Sequence, residues 1–269
     1  MVVTSLPLIE RSLWFLNIVF CAILAARLYY LKLARTYRAF FLYLLFIGVR
    51  GAITWNLDPA SAAYINIWKA TQPAIWILYA LLVLELSSLI FREYRGIQVL
   101  GRWTVYSSLA ASVLISLIIL APTWQKSGEP MLSTPRFLMV ERGIESALVL
   151  LLLLLLAFLA LLPIPLNRNV IIHSVLYTVF FMAGWMGILV VDMTSFQMAS
   201  LIGVFLMGVA VLCQVSWILL LSREGEEKIA VFRKPLPAAY EHRLIEQLSS
   251  INATLLRASS KVDSATLTR

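Results

Sequence analysis

Four ionisable side chains sit inside otherwise apolar runs: Arg50 in FIGVRGAITW (46–55), Glu85 in LLVLELSSLIF (81–91), and Glu141 and Glu145 in VERGIESALV (140–149). An arginine at the centre of a membrane helix costs at least ~2.5 kcal/mol on the most lenient insertion scale, so such a group needs a partner or a task. The tasks open to it are binding a charged ligand or ion, relaying protons, and fixing helix packing through an ion pair. Glu141 and Glu145 are four residues apart and therefore share one helix face. Counted from the expected helix ends, Arg50 lies roughly 9 Å deep, between Glu141 at roughly 6 Å and Glu145 at roughly 12 Å.

Lys69 and Gln72 fall near the same membrane face, and so do Arg142 and Asp192. The set Arg50, Lys69, Gln72, Glu141, Arg142, Glu145 and Asp192 is thus a candidate outer-half pocket for a ligand, ion or proton. A plain interhelical ion pair, with the flanking charges snorkelling to the interface, accounts for the same residues. Gly48 and Gly51 beside Arg50 let another helix approach closely under either reading. A second polar set, Glu85, His173 and Gln214, falls in the inner half. Glu85 with His173 has the chemistry of a proton relay; a lone histidine is more often a hydrogen-bonded structural residue.

The elements that must position these groups follow from hydropathy. The chain has 269 residues, 61% of them hydrophobic and 13% charged, and a mean hydropathy of +0.88. Seven apolar stretches reach or approach the roughly 20 residues a helix needs to cross hydrocarbon. They are 12–31, 39–55, 67–91, 104–121, 137–162, 170–191 and 196–222. Prolines and short polar links separate them, and apart from Pro73 the helices are unbroken. The expected fold is an all-α membrane protein, a seven-helix bundle over 1–222 followed by a cytoplasmic tail over 223–269.

Basic residues set the orientation, because they are retained on the cytoplasmic side. Arg35, Arg38, Arg92, Arg95, Arg168, Arg223 and Lys228 flank one side, against Arg11, Lys69, Lys126 and Arg136 on the other. The N-terminus is therefore expected outside and the C-terminus inside. The net charge of +8 reads as a topology signal, with anionic lipid as a secondary partner and nucleic acid excluded. The N-terminus lacks the basic start and cleavage site of a removed signal peptide, so the first helix is expected to be an uncleaved anchor. Six tryptophans near helix ends, among them Trp14, Trp55 and Trp217, suit interface anchors.

In the tail, Leu244, Leu248, Ile251 and Leu255 recur at heptad spacing. They form either a short amphipathic helix on the inner leaflet or a seam for a second copy or a partner. Cys21 and Cys213 lie within helices at different depths and are expected to stay unpaired. The sequon Asn252-Ala-Thr254 falls on the cytoplasmic side, where it is not glycosylated.

Several activities lack their residues. The last helix has no lysine for a retinal Schiff base, and one membrane histidine does not make the pair that ligates a b-type haem. No HExxH metal motif and no GxSxG nucleophile elbow is present. The expectation is a non-enzyme with no cofactor and no metal.

YRAFFLYLLF (37–46), FREYRGIQVLGRW (91–103) and EHRLIEQLSSINATLLR (241–257) together resemble a group of uncharacterised bacterial seven-helix integral membrane proteins of no known activity. The resemblance implies the same architecture and a location in the bacterial inner membrane, and it supplies no site residues. The function expected is a receptor-like or accessory subunit that senses a ligand in the outer pocket and contacts a partner through its basic loops and tail. A small-solute, ion or lipid transporter is the alternative, and a structural subunit of a larger membrane complex is the third.

Overall fold

The computed structural model of the chain describes residues 6–58, 61–91, 107, 110, 134–161, 166–194, 198–227, 229–230, 246, 249–250 and 253–254. The side chains of 6–7, 134–140, 142, 158–161, 192, 227 and 229–230 are outside that description. Among the described residues six long helices carry the fold: α1 (Leu6–Tyr30), α2 (Arg38–Thr54), α3 (Ala62–Ile90), α4 (Thr134–Leu161), α5 (Arg168–Met193) and α6 (Ala199–Leu220). A one-turn helix, α7 (Glu224–Glu227), follows, and the short strands β1 (Leu166–Asn167) and β2 (Ile229–Ala230) pair antiparallel, Leu166 opposite Ala230.

Four helices contain segments long and apolar enough to cross a membrane: Leu8–Tyr30, Ala62–Ile90, Arg168–Val191 and Ala199–Leu220. The chain is a multi-pass membrane protein on that evidence. In hydrocarbon a helix satisfies every backbone group within its own segment, which is why these apolar runs are helical. The expected fourth span, 104–121, lies outside the described residues except at 107 and 110. The third helix begins earlier than its apolar run because Ser61 caps it, its hydroxyl accepting from the Tyr64 amide at 3.2 Å. It then continues through Pro73 without a break. At the end of α1 the chain turns through Lys32, whose φ of 59° is left-handed, into a single turn at Leu33–Arg35.

The six described helices pack in chain order, α1 on α2 and on α6 and each remaining one on the next, so that together they form a ring. The third helix also reaches across to α5. Trp14, Trp55 and Tyr64 meet at one end of the ring, here the N-terminal end. Arg27 bonds the Leu221 carbonyl at the other, the tail end, at 3.0 Å. Leu28, Phe40, Leu44, Leu82, Leu152 and Phe181 are fully buried, whereas Leu42, Val49, Ile77, Leu154, Val179 and Phe205 face outward. The outward set is the apolar coat a lipid bilayer covers. Close approach of α2 to α1 depends on glycine: a Cβ at Gly51 would stand 2.9 Å from Ile18 Cγ1.

Glu85 provides the cap that α2 lacks from its own sequence. The residue before α2, Tyr37, makes no side-chain cap. Instead, Glu85 of α3 accepts from the Ala39 amide at 2.9 Å and the Phe40 amide at 3.3 Å. A carboxylate at a helix N-terminus satisfies orphan donors and the helix dipole together. We expect Glu85→Ala to lower stability in detergent unfolding by about 1–2 kcal/mol, and Glu85→Gln, which keeps one acceptor oxygen, to lose less than half of that. Unchanged stability of Glu85→Ala would show that the cap contributes nothing.

Candidate functional site

Toward the N-terminal end, α2, α3 and α4 are joined by a relay of side chains. The half-buried Arg50 donates from Nη1 to Gln72 Oε1 at 3.1 Å. Gln72 in turn donates from Nε2 to Glu141 Oε1. The amide thus stands with its oxygen toward the cation and its N–H toward the anion, so both bonds are charge-assisted. Gln72 and Glu141 are buried. Arg50 therefore reaches Glu141 through Gln72, and the helix that approaches beside Gly48 and Gly51 is α1, through Cys21 and Ile18.

One turn deeper, Glu145 is 8% exposed and its Oε2 has no hydrogen-bond partner among the described residues. Its carboxylate lies over Gly184 of α5, where a Cβ would come within 3.3 Å of Oε2. Beside it Trp185 Nε1 bonds Ser146 Oγ at 2.8 Å, fixing α5 against α4. Glu145, Tyr79, Phe180, Phe181, Gly184 and Val209 are among the residues around a cavity of about 190 Å³. Arg50 does not line it. Of the other residues expected here, Lys69 is half-buried in α3, and the side chains of Arg142 and Asp192 lie outside the described residues.

Phe180 also lines a second, central cavity of about 170 Å³, with Asn17, Tyr43, Tyr177, Gln214 and Trp217. Gln214 donates to Cys21 Sγ at 3.1 Å, and its Oε1 and the Trp217 indole N–H are unpartnered among the described residues. Cys21 and Cys213 are buried free thiols. Trp217 is 3% exposed, so it belongs to the core and not to an interface belt.

His173 does not meet Glu85. Its ring is fully buried among Tyr37 at 4.3 Å, Phe40 at 5.0 Å, Tyr177 at 5.3 Å and Trp217 at 6.1 Å between centroids. Neither ring nitrogen has a hydrogen-bond partner among the described residues. With Glu85 engaged at the start of α2, the relay weighed between them has no direct step.

Below the histidine, at the tail end, Glu226 of α7 gathers donors from three parts of the chain. Its Oε1 accepts from the Tyr37 hydroxyl at 2.5 Å and from Asn169 Nδ2 at 2.9 Å. Its Oε2 accepts from Asn167 Nδ2 at 3.2 Å. Asn169 also donates to the Ser222 carbonyl at 2.8 Å. The start of the expected tail is thereby latched to the bundle. Sequence reasoning passed over this latch because Tyr37, Asn167, Asn169 and Glu226 lie outside the apolar runs, where polar residues raise no question. It also passed over Tyr43 and Tyr79, whose mid-helix depth was a usable signal, since tyrosines favour membrane interfaces.

No metal-binding group of three or more histidine, cysteine or carboxylate side chains occurs among the described residues. The tail residues Leu244, Leu248, Ile251 and Leu255 lie outside the described residues. No protein-family model matches the chain, and neither a curated protein nor a solved structure matches it significantly.

Two outcomes are expected. In double-mutant cycles, Arg50→Met should couple to Gln72→Leu and to Glu141→Gln by about 0.5–3 kcal/mol, and less to Glu145→Gln; additivity within the first two pairs would remove the relay. Burial raises the Tyr37 phenol above its ordinary value near 10, and the bond to Glu226 raises it further. The unfolded chain sheds that proton near pH 10 while the fold retains it, so this stabilisation is complete below about pH 10 and is lost as pH rises past it. Unfolding measured at stepped alkaline pH should show an additional slope of up to roughly 1.4 kcal/mol per pH unit that Tyr37→Phe lacks.

Proposed function

We propose that the chain is a receptor-like membrane protein that takes a small ligand into the Glu145 cavity and reports its occupancy at the tail end. The observation that carries this reading is the cavity itself, about 190 Å³ with a buried carboxylate in its wall and no hydrogen-bond partner for Oε2 among the described residues. A purely structural subunit has no use for an uncompensated polar atom beside empty volume, because either one lowers stability. Expected also in this proposal are a seven-span bundle with the N-terminus outside, a bacterial inner-membrane location, and no catalytic activity.

Aromatic contacts supply a physical route for the report. Tyr79 touches Phe181 at 4.8 Å and Tyr43 at 5.6 Å, on the cavity side. Tyr43 and Tyr177 both line the central cavity. Tyr177 then touches His173, which touches Tyr37, whose hydroxyl holds the Glu226 latch. Release or tightening of that latch alters how the tail, with Leu244, Leu248, Ile251 and Leu255, is presented to a second copy or a partner.

The test compares wild type with Val209→Phe, which fills the cavity from α6. Mass spectrometry of the denatured protein after mild-detergent purification should find a small molecule with wild type and at least tenfold less with the variant. Hydrogen exchange across 222–230 should change when that molecule is removed. Equal recovery from both proteins would defeat the cavity as a ligand site. Ligand loss with unchanged exchange at the latch would favour a transporter over a receptor.

A further inference from the structure

Two other cavities among the described residues have their polar groups differently disposed. The open groove of about 480 Å³ beside Glu85 faces a carboxylate already engaged by the Ala39 and Phe40 amides. The central cavity presents neutral groups, the Gln214 amide oxygen and the Trp217 indole N–H. The Glu145 cavity combines a carboxyl group with three aromatic rings around about 190 Å³ of space.

We propose that this cavity binds a small organic cation, a protonated or quaternary amine of roughly six to eight non-hydrogen atoms, with its charge against Glu145 and its hydrocarbon against Tyr79, Phe180 and Phe181. The inference rests on the reading of the cavity as a ligand site and adds the ligand's chemical class. Size follows from volume: an engineered apolar cavity of ~150 Å³ accommodates benzene, and this one is about 190 Å³.

Charge follows from the neighbouring groups. Arg50 does not line this cavity and is engaged with Gln72 and through it with Glu141. Glu145 is left as a buried carboxylate with an unpartnered oxygen. An anionic ligand would be repelled by its ionised form, and a cation is the ligand that stabilises that form against desolvation.

The walls distinguish an organic cation from a metal ion. Hard cations require several oxygen ligands, six or more for calcium, and among the described residues one carboxyl side chain, Glu145, lines this cavity. Aromatic rings instead favour weakly hydrated ammonium groups through their π faces, within roughly 6 Å. Tyr79 and Phe181 meet at 85° and Phe180 and Phe181 at 78°. The three rings therefore form an angled apolar wall in place of a parallel stack.

The experiment uses the full chain in phosphatidylglycerol nanodiscs, with benzylammonium, tetramethylammonium, benzyl alcohol, benzoate and sodium as probes, read by calorimetry and by shift of the unfolding temperature. Benzylammonium should bind wild type at least tenfold more tightly than benzyl alcohol. Glu145→Gln should bring the two to parity, Glu145→Asp should retain the preference, and Val209→Phe should abolish binding of both. Retention by Glu145→Asp guards against loss through misfolding of the glutamine variant.

Adding phosphatidylethanolamine separates two sources of the same chemistry. Competition with benzylammonium assigns a lipid headgroup, and unchanged affinity assigns a free amine. Benzyl alcohol or benzoate binding wild type as tightly as benzylammonium, blocked by Val209→Phe, would overturn the cation and leave the ligand site standing. Failure of every probe to bind would also overturn the cation; if wild type and Val209→Phe then yield the same co-purified molecules, the ligand site falls with it.

Discussion

A guanidinium among apolar helices has to find its acceptors inside the protein, because lipid offers none. Arg50 finds Gln72 on α3, and Gln72 passes the bond to Glu141 on α4. One half-buried charge thereby joins three helices at one depth. The relay holds α4 where Glu145, one turn further along the same face, lies over Gly184 of α5. The cavity beside Glu145 is a consequence of this placement, since the helix that carries a satisfied glutamate also carries an unsatisfied one.

The same demand for internal partners orders the other end of the ring. The start of α2 has exposed amides and no cap of its own, and Glu85 meets them from α3. Glu226 performs an equivalent role for the links before α2 and before α5, accepting from Tyr37, Asn167 and Asn169. Between these polar fixtures the contacts are mostly aromatic and aliphatic, with the Trp185–Ser146 and Gln214–Cys21 bonds among them, and van der Waals packing supplies the rest. Polar groups therefore set which helices meet and at what register, and apolar side chains fill what lies between.

Part of this was legible in the chain. Apolar runs of span length placed α1, α3, α5 and α6, and the depth count brought Arg50 level with the start of α4. Other parts were not. Gln72 was expected near the site and turned out to be the link itself, because depth says which groups share a level and not which one stands between two others. Glu85 was paired with His173 on the same reasoning, but the carboxylate was within reach of the α2 amides, a stronger and closer set of donors. Trp217 was assigned to an interface from its position near a helix end, whereas α6 turns it inward against His173.

The sequence by itself determined that this protein is helical and multi-pass and that a few charges must be buried in it. Hydrocarbon admits helices and penalises lone charges whatever their neighbours are. The tertiary structure alone decided the ring order, with α6 returning to α1, and which polar groups touch. Apolar residues line both the inward and the outward faces of these helices, so hydrophobicity does not say which way a helix turns. Only the partners available to Arg50, Glu85 and Glu226 in three dimensions settle that rotation.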